Sequence, residues 1–126
     1  LKLRDEIQSL RIYFGPGAPD PSSGQEAALD QLAANFKAIA AVARRLGFSV
    51  RMSLTGHADQ TGRQTANLGL SIARAEVVRS LLRSRGIAPE LMSVRGTGTL
   101  EPLASGEAPT DLSVNRCVTF TINTSE

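Results

Sequence analysis

The sequence predicts an α+β domain, a β-α-β-α-β-β sandwich with two main helices packed on one face of a four-stranded mixed sheet. Three observations predict it. Leu29, Leu32, Phe36, Ile39, Ala43 and Leu46 recur at alternating steps of three and four, which puts one apolar stripe along a long helix. Phe48, Val50, Met52 and Leu54 alternate with Ser49, Arg51, Ser53 and Thr55, the period of a strand with one buried face. A second helical segment follows and stops at Gly86 and Pro89, ahead of two more short apolar stretches. Two helices on one face of a four-stranded sheet would bury both helical stripes. Crossovers through helices imply parallel neighbours and right-handed connections, with the last strand expected to run antiparallel.

Each element has its own local reason. Residues 1–9 mix Leu and Ile with charge and read as the end of a helical linker or as a frayed end. The domain is therefore set at residues 10–123, with 124–126 as a tail. Residues 10–14 are short, apolar and rich in strand formers. The run Gly-Pro-Gly-Ala-Pro-Asp-Pro at 15–21 breaks regular structure. Ser22 or Ser23 offers a helix N-cap, with Glu26 three residues after Ser23 as a capping box. Gly47 is placed to end that helix. On the second helix, Leu70, Ala73, Val77, Val78 and Leu81 are expected to face the sheet, with Glu76, Arg79 and Arg83 outward. Residues 91–95 form the third strand and 114–122 the fourth. The loop between them, 96–113, has a length that in compact domains marks a functional or a disordered segment.

Composition narrows the function. A chain of 126 residues reads as one domain able to bury a real core. A net charge of +2 gives no strong basic field, and 4% aromatic residues with no Trp give no base-stacking platform, so no nucleic-acid partner is expected. No stretch approaches the roughly 18 apolar residues of a membrane helix, so direct membrane insertion of this segment is not expected either. No leader is visible, and the segment reads as an excised domain whose signal or anchor lies upstream. Cys117 is the lone cysteine, and its apolar surroundings make it a core or edge residue rather than a nucleophile.

The chemistry concentrates between Gly56 and Ala75. Arg74 projects from the apolar side of its helix, with Asn67 and Ser71 one or two turns before it on the same side. An arginine there is costly unless something pairs with it. Its stem could pack while its head reaches water. It could instead make a structural salt bridge with Asp59, or offer a planar fork to a ligand carboxylate. Asp59 fits an Asx-turn or helix-cap role as readily as a carboxylate for a ligand ammonium. His57-x-Asp59 supplies too few ligands for zinc. His57 and Cys117 form no nucleophile-base order, so no enzyme activity, metal or cofactor is expected.

Gly56-His57-Ala58-Asp59, Gly62 and then Asn67-x-x-Leu70-Ser71-x-x-Arg74-Ala75-x-x-Val78 resemble the signature of OmpA-like peptidoglycan-binding domains. The resemblance covers about Ile12 to Ile122. It implies the β-α-β-α-β-β fold and a periplasmic domain that grips the diaminopimelate residue of the cell-wall stem peptide without chemistry. The parent protein would be attached to the inner or outer membrane through a segment outside this chain and so tethered to the wall. The resemblance places the ligand ammonium on Asp59 and its carboxylate on Arg74. Asn67, Ala58, Leu70 and Ser71 complete the motif, although Leu70 is most simply core. Arg116 resembles the start of the family's Asn-Arg-Arg-Val strand and is expected as a second positive group at the rim. Gly96-Thr97-Gly98 with Pro102 fits the family's Gly-x-Gly-x-x-x-Pro loop. Three departures stand out: Ala58 for a threonine, Cys117 for a second arginine, and Gly15-Pro16-Gly17 where an Asp or Asn is common. They keep open an alternative, an OmpA-like fold repurposed as a protein-protein interaction module of an envelope complex, and a homodimer is left open as well. The Asp59–Arg74 pair is expected to converge on one partly wet cleft.

Overall fold

The computed structural model describes residues 2–58, 64–97 and 116–125. Along them run α1 (Lys2–Ser9), β1 (Arg11–Tyr13), α2 (Glu26–Arg45), β2 (Ser49–Gly56), α3 (Gln64–Arg83), a 3-10 turn (Pro89–Leu91), β3 (Met92–Gly96) and β4 (Cys117–Ser125). The strands form one sheet in the order β1-β4-β2-β3. β4 is antiparallel to both of its neighbours, whereas β2 and β3 are parallel, as their helical crossover requires. The mixed sheet and its two main helices are those the sequence predicts.

Register explains the core. Met52 lies between Ile122 and Met92, and Leu54 between Phe120 and Val94. These rows alternate with Ser53, Thr121 and Ser93 on the other face, so the period of two sorts apolar from polar side chains. α2 lays Leu29, Leu32, Ala33, Phe36, Ile39 and Ala43 into the core. Leu46, expected on that stripe, is the C-cap and stays 68% exposed. Gly47, at φ 84°, closes the helix: Phe48 N–H donates to Ala43 O at 2.8 Å and Gly47 N–H to Arg44 O at 3.2 Å.

Four local expectations need correction. The N-cap of α2 is Gln25, not Ser22 or Ser23. The Gln25 amide is turned to β1 instead, where its Oε1 accepts from Tyr13 N–H at 2.6 Å and its Nε2 donates to Tyr13 O at 2.7 Å. It thus serves the edge strand as a neighbouring peptide would. The inward stripe of α3 is Asn67, Ser71, Arg74, Ala75, Val78 and Leu82. That is rotated by about a quarter of a turn from the expected Leu70–Leu81 stripe, at 3.6 residues per turn. Polar side chains on the inner face displaced the apolar pattern. β4 begins at Cys117 and continues past Ile122 to Ser125, because its pairing with β2 extends to Ser49.

The fourth correction concerns residues 2–9, which are helical and not frayed. They form α1, whose Ile7 is fully buried and joins the core. Gln8 Oε1 accepts from Ile122 N–H at 3.0 Å. α1 thus packs on the same core as the elements after residue 10. Ile7→Ala should lower unfolding free energy by about 2–5 kcal/mol, as buried Ile→Ala changes do. Urea denaturation with an unchanged m-value checks this.

Candidate functional site

The end of β2 is built for close approach. Gly56 and Gly96 are register partners on β2 and β3, and α3 crosses above them at Ser71. A Cβ on Gly56 would fall 1.8 Å from the Ser71 carbonyl oxygen, and one on Gly96 would fall 2.4 Å from Ser71 Oγ. Only glycine lets the helix sit this low. Ser71 is fully buried and donates from Oγ to Leu68 O at 2.8 Å. Its motif position thus reflects a small side chain at a backbone crossing.

That depth carries Arg74 inward. Its side chain is 1% exposed. Nε donates to Ala18 O at 3.0 Å, Nη1 to His57 O at 3.1 Å and Nη2 to Gly15 O at 3.0 Å. Its Cζ lies 5.1 Å from the centre of the Phe14 ring, within cation–π range. The guanidinium is therefore not partly wet, as expected for an open cleft. It is desolvated and framed by backbone carbonyls from two loops, which offsets the cost of burying it.

The first of those loops is the Gly-Pro-Gly segment. Ala18 N–H donates to Gly15 O at 3.1 Å, with Pro16 and Gly17 central and Gly17 at φ 65°. This is a type II turn, for which proline then glycine are the favoured central residues. Its first and last carbonyls both face Arg74. Arg116, half-buried, reaches the same loop: its Nε donates to Phe14 O at 3.1 Å, and its carbonyl accepts from Phe14 N–H at 2.9 Å. Arg116 is thus engaged with the loop beneath the site, in addition to any part at its rim.

The remaining motif residues divide. Ala58 and Asn67 are buried, on the same end of the domain. Leu70 is half-buried and outside the main core. His57 is buried between two hydroxyls, Nε2 3.0 Å from Thr119 Oγ1 and Nδ1 3.4 Å from Thr97 Oγ1. Thr97 also donates from Oγ1 to Gly56 O at 3.2 Å. Asp59, Gly62, Gly98, Pro102 and the rest of the long loop lie outside the described residues. So does the expected convergence of Asp59 with Arg74. Phe14, Ala18 and Thr119 were missed by sequence reasoning, while Gly15 and Thr97 entered it only as loop residues. The Pro-Gly signal identifies the turn, but which way its carbonyls face is a tertiary property.

Cys117 is fully buried at the start of β4. Burial pushes its thiol from 9.0 up to about 11, against the lowering influence of Arg11 and Arg74. The folded state then holds the proton between those values while the unfolded chain releases it, so this group's contribution to stability falls as pH rises through that window. A colorimetric disulfide reagent at pH 8 should leave native Cys117 unmodified while the urea-unfolded chain reacts fully. Among the described residues no cluster of three His, Cys, Asp or Glu could hold a metal, and no helix is long and apolar enough to cross a membrane.

Comparison with known proteins converges on one group. Over 73 residues the chain is 34% identical to the peptidoglycan-binding protein ArfA of Mycobacterium tuberculosis, a match covering 58% of this chain and 22% of that protein. Over 72 residues it is 35% identical to the peptidoglycan-associated lipoprotein of Brucella melitensis, covering 57% of this chain and 43% of that protein. The chain thus spans less than half the length of these relatives. Among solved structures, the peptidoglycan-associated lipoprotein of Burkholderia pseudomallei superposes with a TM-score of 0.80 at 23% identity, over 94% of this chain and 93% of that one. The periplasmic domain of Helicobacter pylori MotB gives 0.72 at 19% identity, over 91% and 71%. At such identities these two speak for the fold. The sequence pattern of the OmpA family matches residues 13–116, from the edge strand through the glycine crossing and Arg74 to Arg116. By a match over most of its length, the chain belongs to the OmpA family.

Proposed function

We propose that this domain binds bacterial peptidoglycan non-covalently, through the diaminopimelate residue of the stem peptide, and so tethers its parent protein to the cell wall. Arg74 takes the ligand carboxylate and Asp59 the ammonium. The observation that supports this best is the buried, carbonyl-framed guanidinium at the end of β2. Asp59 is two residues along the chain from the His57 carbonyl that accepts from Arg74. A fork held rigidly before the ligand arrives loses little entropy on binding. The relatives, a peptidoglycan-binding protein and a peptidoglycan-associated lipoprotein, agree with this reading.

The reading implies binding without turnover. Cys117 is buried and protonated at neutral pH, so it offers no thiolate nucleophile. It also implies a periplasmic location for the domain, with the anchor supplied by another part of the protein. Sedimentation with purified diaminopimelate-type sacculi tests the proposal. The domain should pellet with them, and free stem tripeptide should release it without releasing new soluble wall fragments. Retention in the supernatant would count against wall binding and for the interaction-module alternative. Accumulation of wall fragments would indicate an enzyme.

A further inference from the structure

We infer that Arg116 and the Gly15–Ala18 turn form a positioning device that sets the orientation of the Arg74 guanidinium before ligand arrives. The inference rests on the proposed role of Arg74 and adds residues to it. Arg74 could in principle swing about its long stem, since an arginine carries substantial rotamer freedom. Here the turn removes that freedom. Its Gly15 and Ala18 carbonyls take Nη2 and Nε, each at 3.0 Å, while the Phe14 ring lies against the guanidinium with its centre 5.1 Å away. Two hydrogen bonds and one ring contact from a five-residue segment fix both the plane and the roll of the fork.

The segment must itself be held, and Arg116 holds it. Phe14 exchanges hydrogen bonds with Arg116 in both directions, through the Phe14 N–H and carbonyl. On the other side the Gln25 amide and Ser22 N–H grip Tyr13, the residue before Phe14. Gly17 at φ 65° permits the turn that aims both carbonyls one way. In this chain a backbone turn thus does work that a side chain at the first-strand loop could otherwise do. Arg116 acts on the site through Phe14, as a positioning residue.

The test uses nuclear magnetic resonance of the Arg74 Nε–Hε group in the ligand-free domain, followed by titration with diaminopimelate stem tripeptide. The variants are Arg116→Met and Gly17→Ala, with Arg51→Ala on the open sheet face as the control. Both test variants should shift the Arg74 Nε–Hε resonance and speed its exchange with water, while the control leaves it unmoved. Tripeptide affinity should fall about tenfold in both, the scale of loss when groups that orient a ligating side chain are removed. Arg116→Lys, which keeps the charge but not the Nε donor, should behave as Arg116→Met does, and it serves if the methionine variant does not fold. An unchanged Arg74 resonance in folded Arg116 and Gly17 variants would overturn the inference, as would a shifted resonance with unaltered affinity. If the wild-type domain binds no tripeptide, the diaminopimelate reading fails, and the ligand-free resonance alone still decides whether the device exists.

Discussion

Gly56→Ala should cost at least about 4 kcal/mol of folding stability, an exceptional value for a one-carbon change. Ordinary overpacking costs less because a side chain can rotate away. Here the obstacle is backbone: the new Cβ would lie 1.8 Å from the Ser71 carbonyl oxygen and 2.7 Å from its carbonyl carbon. Relief requires α3 to lift off the sheet at Ser71. That would thin the contacts of Ala75 and Val78, and would draw Arg74 out of its carbonyl frame. The melting temperature should fall by more than about 10 °C for a domain of this size. Gly96→Ala meets Ser71 Oγ and Ile72 Cγ1, side-chain atoms, together with Ile72 N at 2.7 Å, and should be less severe. Thermal unfolding of both variants checks the order. An unchanged melting temperature for Gly56→Ala would contradict the crossing geometry.

Arg74→Ala should lose both stability and binding. The sequence alone suggests a partly wet pair whose removal costs about 1 kcal/mol or less, as for exposed ion pairs. At 1% exposure with backbone carbonyls as acceptors, the guanidinium is part of the structure. Its removal leaves the Gly15, Ala18 and His57 carbonyls without this donor, and each unsatisfied buried acceptor costs about 1–3 kcal/mol where water cannot replace the donor. A loss of about 3 kcal/mol is expected, with the Gly15–Ala18 turn the first part to loosen. Arg74→Lys should recover little of it, since one ammonium cannot span the frame. The folded fraction of either variant should bind stem tripeptide at least about 30-fold more weakly, corresponding to about 2 kcal/mol. Chemical denaturation and calorimetric titration of the same samples separate the two losses. Binding retained by folded Arg74→Ala would show that the residue serves the fold alone.

Much of this architecture is legible in the sequence because single periodicities dominate its elements. The α2 stripe from Leu29 to Ala43 and the β2 alternation from Val50 to Leu54 are read correctly, since nothing polar competes with burial there; Leu46 and Phe48, beside the Gly47 turn, are exposed instead, and Thr55, expected on the open face, is buried. α3 is misread in phase for the opposite reason. Asn67, Ser71 and Arg74 share its inner face with Ala75, Val78 and Leu82, so Leu70, Ala73, Val77 and Leu81 mark its flank. Gln25 stands at the N-cap with its amide turned to the edge strand, a tertiary contact that no local rule weighs. Residues 2–9 look like a linker in isolation, and only their docking reveals Ile7 as core. The motif and its family resemblance single out the candidate site residues, but they do not reveal the physics around them. The burial of Arg74, the role of Ser71 above two glycines and the reach of Arg116 to Phe14 all join residues far apart in the chain.

Calorimetric titration of the domain with two stem tripeptides, one carrying meso-diaminopimelate and one carrying lysine at the third position, tests the proposed ligand most directly. The two differ by the carboxylate that Arg74 is proposed to hold. A site built to hydrogen-bond a group penalises its absence, because its own polar atoms are left unpaired. The diaminopimelate peptide should bind at least about 30-fold more tightly, since about 2 kcal/mol or more is at stake. Equal affinity for the two peptides, or no heat with either, would contradict the assignment of Arg74 to the ligand carboxylate.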